Sequence, residues 1–198
     1  MLLGKCKFCG EKISFRYPLV EFITAVFAVF CFYLWPPVFA VVNFIFLAVL
    51  IVITFIDIDF QIIPDVISIP GTVLSAIVSY FIFDRSLVLI FLATLIGSGI
   101  FFIVGKLYEI IAKREGLGGG DVKLMAMFGA FLGLKAIPFI ILLGSLTGTF
   151  VGLYLMIFKG KEKTFAIPFG PFLSFAAALY LFAGDKLINL YLSLFYIN

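Results

Sequence analysis

The chain has 198 residues, 64% of them hydrophobic and 13% charged, with a mean hydropathy of +1.27 and a formal net charge of +3. A soluble domain carries about 25% charged residues, so this composition belongs to a membrane protein, and no basic patch interleaved with aromatics points to nucleic acid. The lack of histidine excludes Ser-His-Asp, Cys-His and rhomboid-type Ser-His hydrolases as well as His-Glu-x-x-His zinc proteases, and leaves carboxylates as the main acid–base groups.

Residues 1–17 read as a short cytoplasmic segment carrying Cys6-Lys7-Phe8-Cys9. A C-x-x-C is half of a zinc-ribbon ligand set, and a closed structural zinc site takes four ligands. With no second pair and no histidine, Cys6 and Cys9 are not expected to hold zinc within one chain. Residues 18–198 read as the membrane core. Apolar segments run over 18–34, 38–56, 66–83, 87–112, 122–134, 136–158 and 168–183, separated by Trp35-Pro36-Pro37, the acidic stretch from Asp57, Asp84-Arg85, the glycine run before Asp121, Lys135 and the 159–163 lysines. The fifth is short for a full crossing and reads as tilted or re-entrant. The tail 187–198 either forms an amphipathic stretch or extends the last helix. Cys31, inside an apolar run, reads as a buried thiol that packs as a small hydrophobe. The expected fold is all-α, a polytopic membrane helix bundle of about seven transmembrane helices. Pairs such as Gly129-x-x-x-Gly133, Gly144-x-x-x-Gly148 and Gly148-x-x-x-Gly152, with Gly97 and Gly99, have the small-residue pattern of close helix packing.

Seven crossings put 11 of the 14 Lys and Arg residues on one side, and only Arg85, Lys135 and Lys186 on the other. Lys and Arg concentrate on the cytoplasmic face. The amino end is therefore expected inside, together with Asp57 and Asp121.

The acids differ in what position alone implies. Asp59 reads as part of a solvated loop. Asp65 follows a proline and precedes an apolar run, which suits a helix N-cap. Asp57 is contiguous with the apolar helix before it and would meet the negative end of that helix's dipole, a costly place that points to function. Asp121 reads either as an N-cap or as a functional acid. Gly118-Gly119-Gly120 before it carries no side chains and admits another backbone closely. Lys123 and Glu115 read as interfacial charges.

Several ordered motifs carry a resemblance. Cys6-Lys7-Phe8-Cys9-Gly10 with residues 13–21, Ile56-Asp57-Ile58-Asp59 with Ile63-Pro64-Asp65, Gly116-Leu117-Gly118-Gly119-Gly120-Asp121-Val122-Lys123-Leu124 with Gly129-Ala130, and Ile167-Pro168-Phe169-Gly170-Pro171-Phe172 are together similar to the bacterial type IV prepilin peptidases. These are G-x-G-D intramembrane aspartyl proteases, with archaeal preflagellin peptidases as relatives. The resemblance implies Asp57 and Asp121 as the catalytic pair, Gly118, Gly119, Gly120 and Lys123 as substrate-binding residues, and prepilins or pseudopilins with a basic leader as partners. It also implies an inner-membrane location with the site facing the cytoplasm. Proteolysis needs no cofactor. Family members usually begin with a further helix and a first C-x-x-C, so the chain is expected to be an amino-terminally shortened member or a fragment. Methylation with S-adenosylmethionine is associated with that region and is left open for this chain. Alternative readings are a preflagellin-type protease, or an ion or proton transporter using the same acids.

Overall fold

The computed structural model describes residues 11–12, 14–113, 117–159 and 167–195. Among them seven helices follow in order: α1 (Arg16–Leu34), α2 (Pro37–Phe60), α3 (Asp65–Phe81), α4 (Leu87–Ala112), α5 (Gly119–Leu132), α6 (Ala136–Lys159) and α7 (Gly170–Phe195). By length and composition α1, α2, α4, α6 and α7 are long and apolar enough to cross a membrane, and α3 is a shorter apolar helix. The chain divides into two compact units, Met1–Ile51 and Val52–Asn198.

In the first unit, α1 stops where the sequence places Trp35-Pro36-Pro37. Trp35 is extended, with φ −126° and ψ 151°, as the residue before a proline prefers. Pro37 opens α2, where a missing N–H costs nothing. Cys31 is fully buried.

The second unit is built around α5. This helix has 14 residues, about 21 Å at 1.5 Å per residue, which is short of the roughly 30 Å hydrocarbon core. Its length suits an interior element better than a crossing. Leu124, Met125, Met127, Phe128 and Ala130 are essentially inaccessible, and α5 packs on α3, α4, α6 and α7. Among lipid-soluble helices apolar burial gives little preference for protein over lipid, so close approach has to come from shape. Glycines provide it. A Cβ at Gly97 of α4 would lie 2.7 Å from the Met125 carbonyl oxygen, and one at Gly129 of α5 would collide with the Ala93 carbonyl. On α6, Gly144, Gly148 and Gly152 lie one turn apart and receive Leu173, then Phe169 and Phe172, then Ile167. The α6 stripe therefore seats the chain entering α7.

Two glycines do something other than the packing expected of them. Gly133 ends α5 at φ +86° beside the Arg85 guanidinium, a left-handed backbone that glycine adopts without strain. Gly99 has no neighbour within 4 Å of where a Cβ would stand.

Helix ends differ from the hydropathy pattern in three places. α2 continues past Asp57 to Phe60 and is ended by Gln61 at φ 54°, so polarity marks the membrane edge and not the helix end. Asp65 is the first residue of α3; Pro64 is its N-cap, and no side chain caps it. α7 runs without interruption through Gly184-Asp185-Lys186, so those residues extend the last helix and do not close it.

Candidate active site

Asp57 lies in the last turn of α2, where its own helix dipole is unfavourable. The structure resolves this with another helix. Asp57 Oδ2 accepts the Gly170 N–H at 2.9 Å, and Gly170 is the first residue of α7. The carboxylate thus sits at the positive end of α7, where unpaired N–H groups face it. Only glycine fits there, because a Cβ at Gly170 would stand 2.7 Å from the same oxygen. Pro171 follows, in the first turn, with its φ already set for a helix.

Asp121 is the third residue of α5, whose N-cap is Gly118. Its carboxylate accepts a hydrogen bond from the Gly118 backbone, and its own N–H donates to the Gly118 carbonyl at 3.1 Å. This is the reach-back half of a capping box, with Asp in place of the usual Glu or Gln. Asp121 is therefore not the N-cap itself.

The two acids are built alike. Each is buried, Asp57 at 5% and Asp121 at 8% exposure. Each is held by a glycine amide at the start of a helix. They are close enough that the charge of Asp57 acts on Asp121. Ile63, from the loop joining α2 to α3, fills the space between the two helix starts. A Cβ at Gly120 would stand 2.8 Å from Ile63 Cβ, and one at Gly170 would stand 3.3 Å from Ile63 Cδ1.

This divides the glycine run. Gly120 is glycine because Ile63 packs on it. Gly119 is exposed and faces open space, with nothing within 4 Å of a Cβ. Gly118 is exposed and supplies the bond to Asp121. Lys123 lies beside the site and pairs with Asp65, Nζ to Oδ1 at 2.6 Å, both side chains about half exposed. Asp59 faces outward. The residue that sequence reasoning left without a role is Gly170. Its signal was Pro-Phe-Gly-Pro before an apolar run, a helix start with no side chain on its first amide. Cys6, Cys9 and Glu115 lie outside the described residues.

The chain matches the Type IV leader peptidase family over residues 44–153 and the Bacterial Peptidase A24 N-terminal domain over residues 1–35. The chain belongs to the type IV leader peptidase family. It is 34% identical over 198 residues to a prepilin leader peptidase/N-methyltransferase of Aeromonas hydrophila, covering 98% of this chain and 67% of that protein. The proteins of the same name from Aeromonas salmonicida strain A449 (32% over 197 residues, 97% and 66%) and Legionella pneumophila (34% over 198 residues, 97% and 67%) are similar to it to the same degree. The chain spans about two thirds of the length of these relatives. No solved structure matches it significantly. These matches favour neither the preflagellin peptidase nor the transporter reading.

Proposed function

We propose that the chain is a membrane-embedded aspartic endopeptidase that removes the basic leader from type IV prepilins or type II secretion pseudopilins, with Asp57 and Asp121 as its catalytic pair. The observation that carries this is the shared construction of the two acids: both buried, both held by a glycine amide at a helix start, and each within reach of the other's charge. Two close carboxylates do not both ionise, so the pair holds one proton between them. The ionised member takes a proton from water as it attacks the scissile carbonyl. The protonated member polarises the carbonyl oxygen by a hydrogen bond and gives its one proton to the leaving amine as the C–N bond breaks, while the other member keeps the proton taken from water. Both states are needed, so cleavage depends on pH as a bell.

Gly118 and Gly119 leave the Asp121 side free of side chains, which suits an extended peptide lying against the backbone. Gly120 lets Ile63 pack closely against the start of α5, so of the three glycines it serves the approach only by seating that side chain. Lys123, steadied by Asp65, stands two residues from Asp121 and offers a cation to a substrate carbonyl. The surplus of Lys and Arg near these loops supports a cytoplasmic location for the site, where a basic leader would remain. No step needs a cofactor. Methyl transfer from S-adenosylmethionine, which the relatives' names include, is given no residues in this proposal, and adding that compound is expected to leave cleavage unchanged.

The test is reconstitution of the whole chain in liposomes with a prepilin, followed by sequencing of the product's amino terminus. One cut at the end of the basic leader is expected. An intact prepilin, or proton flux through the liposomes in place of cleavage, would overturn the reading.

A further inference from the structure

A cavity of about 320 Å³ opens between α4 and α6, lined by residues that include Phe101, Val104, Leu117, Ile141, Ser145 and Phe169. Two of its walls adjoin the site directly. Leu117 precedes Gly118, whose backbone holds Asp121, and Phe169 precedes Gly170, whose amide holds Asp57. Neighbouring Cα atoms are about 3.8 Å apart, so the cavity begins one residue away from each of the two glycines that hold the carboxylates. Phe101 and Phe169 stack at 6.1 Å between centroids and form one rigid side of it.

The cavity's chemistry selects its occupant. Among the described residues that line it, Ser145 alone has a polar side chain. From Leu87 to Gly105 in α4, and from Ala136 to Phe158 in α6, there is no charged residue. Among the described lining residues there is no acid to pair with a basic leader. The cavity instead lies between the uncharged stretches of two membrane-length helices, surroundings that suit an apolar segment of substrate. Its volume is enough to admit one large aliphatic or aromatic side chain.

We propose that this cavity is the subsite for the first apolar side chain on the membrane side of the scissile bond, and that Val104 and Ser145 set the size it accepts. The proposal rests on the proteolytic reading above. It assigns to α4 and α6, which carry neither aspartate, the choice of residue at the cut.

Prepilins bearing Ala, Leu, Phe or Asp directly after the scissile bond would be cleaved by the reconstituted chain, and kcat/KM compared. The intact chain is expected to favour Leu and Phe over Ala by about tenfold or more, within the 10–200-fold range of apolar pockets, and to reject Asp. Ser145→Phe narrows the cavity and is expected to move the Phe-to-Ala ratio down about tenfold, whereas Val104→Ala moves it up. Unchanged ratios with cleavage retained would overturn the subsite and leave the protease standing; no cleavage of any substrate by the unaltered chain would overturn both. A second measurement does not depend on active variants. A prepilin with a photoreactive apolar residue after the scissile bond, mixed with the Asp121→Asn chain, is expected to crosslink to Phe101, Val104, Ile141 or Phe169. Crosslinks confined to other residues would overturn the assignment.

Discussion

The two ends of α5 meet opposite demands. At its carboxyl end the open carbonyls are closed by other elements: Ser79 Oγ donates to the Ala130 carbonyl at 2.6 Å, and Arg85 Nη1 donates to the Phe131 carbonyl at 2.6 Å. Arg85 also lies over the Phe83 ring, 5.2 Å from its centroid. Burial pushes its guanidinium down from its ordinary value, while Tyr180 and Asp185 of α7 act to keep it charged. At the amino end there are three glycines, no side-chain cap from another element, and a buried carboxylate. One end is fixed by polar side chains, and the other is kept bare. On the proposed reading α5 presents an acid to an incoming peptide, which calls for an uncrowded amino end and a helix positioned from its far end.

The comparison can be broken most severely beside the bare end, at the start of α7 that holds Asp57. Gly170→Ala forces a methyl against the Asp57 carboxylate. A displacement of about 1 Å at a reacting group can cost about a hundredfold, and a loss of that size in kcat/KM is expected with the thermal midpoint in detergent little changed. On the fixed side, Arg85→Ala removes a charged hydrogen bond and leaves a carbonyl open, for about 1.5–3 kcal/mol of stability. Thermal unfolding should report this, while kcat per folded molecule stays near the parent's. Gly119→Ala adds a methyl where nothing stands. Stability is expected to change by less than about 1 kcal/mol, and cleavage to fall about tenfold, which separates access from folding. The smallest effect belongs to the Lys123–Asp65 pair. It is half exposed, and such pairs are worth about 0–1 kcal/mol. A double-mutant cycle of Lys123→Ala and Asp65→Ala on stability should return a coupling within that range. If Lys123 also meets substrate, its loss raises KM more than the loss of Asp65 does.

Much of this was legible in the chain. Hydropathy alone locates the apolar segments, because a run of uncharged residues has no other stable place. Charge separation gave Asp57 a special position, since a carboxylate on the end of an apolar helix is expensive. What the sequence did not reveal is how that expense is met. Asp57 and Gly170 are 113 positions apart, and no local pattern announces that one helix start will serve another helix's end. The two roles within the glycine run were also hidden, because Gly119 and Gly120 look identical until Ile63 is placed against one of them. The end of α2 was misjudged for a related reason. Backbone hydrogen bonding carries α2 on to Phe60, whereas polarity only marks where lipid ends; for α7, which runs through Gly184-Asp185-Lys186 to Phe195, the structure takes the second of the two readings, extension of the last helix.

The central claim is that Asp57 and Asp121 work as one unit. The most direct measurement is a cycle of Asp57→Asn, Asp121→Asn and the double variant on prepilin cleavage in liposomes. Groups that act together are strongly non-additive, so each single change is expected to lower the rate at least about a thousandfold and the double to go no lower. Either single variant cleaving within about tenfold of the parent rate would contradict the account.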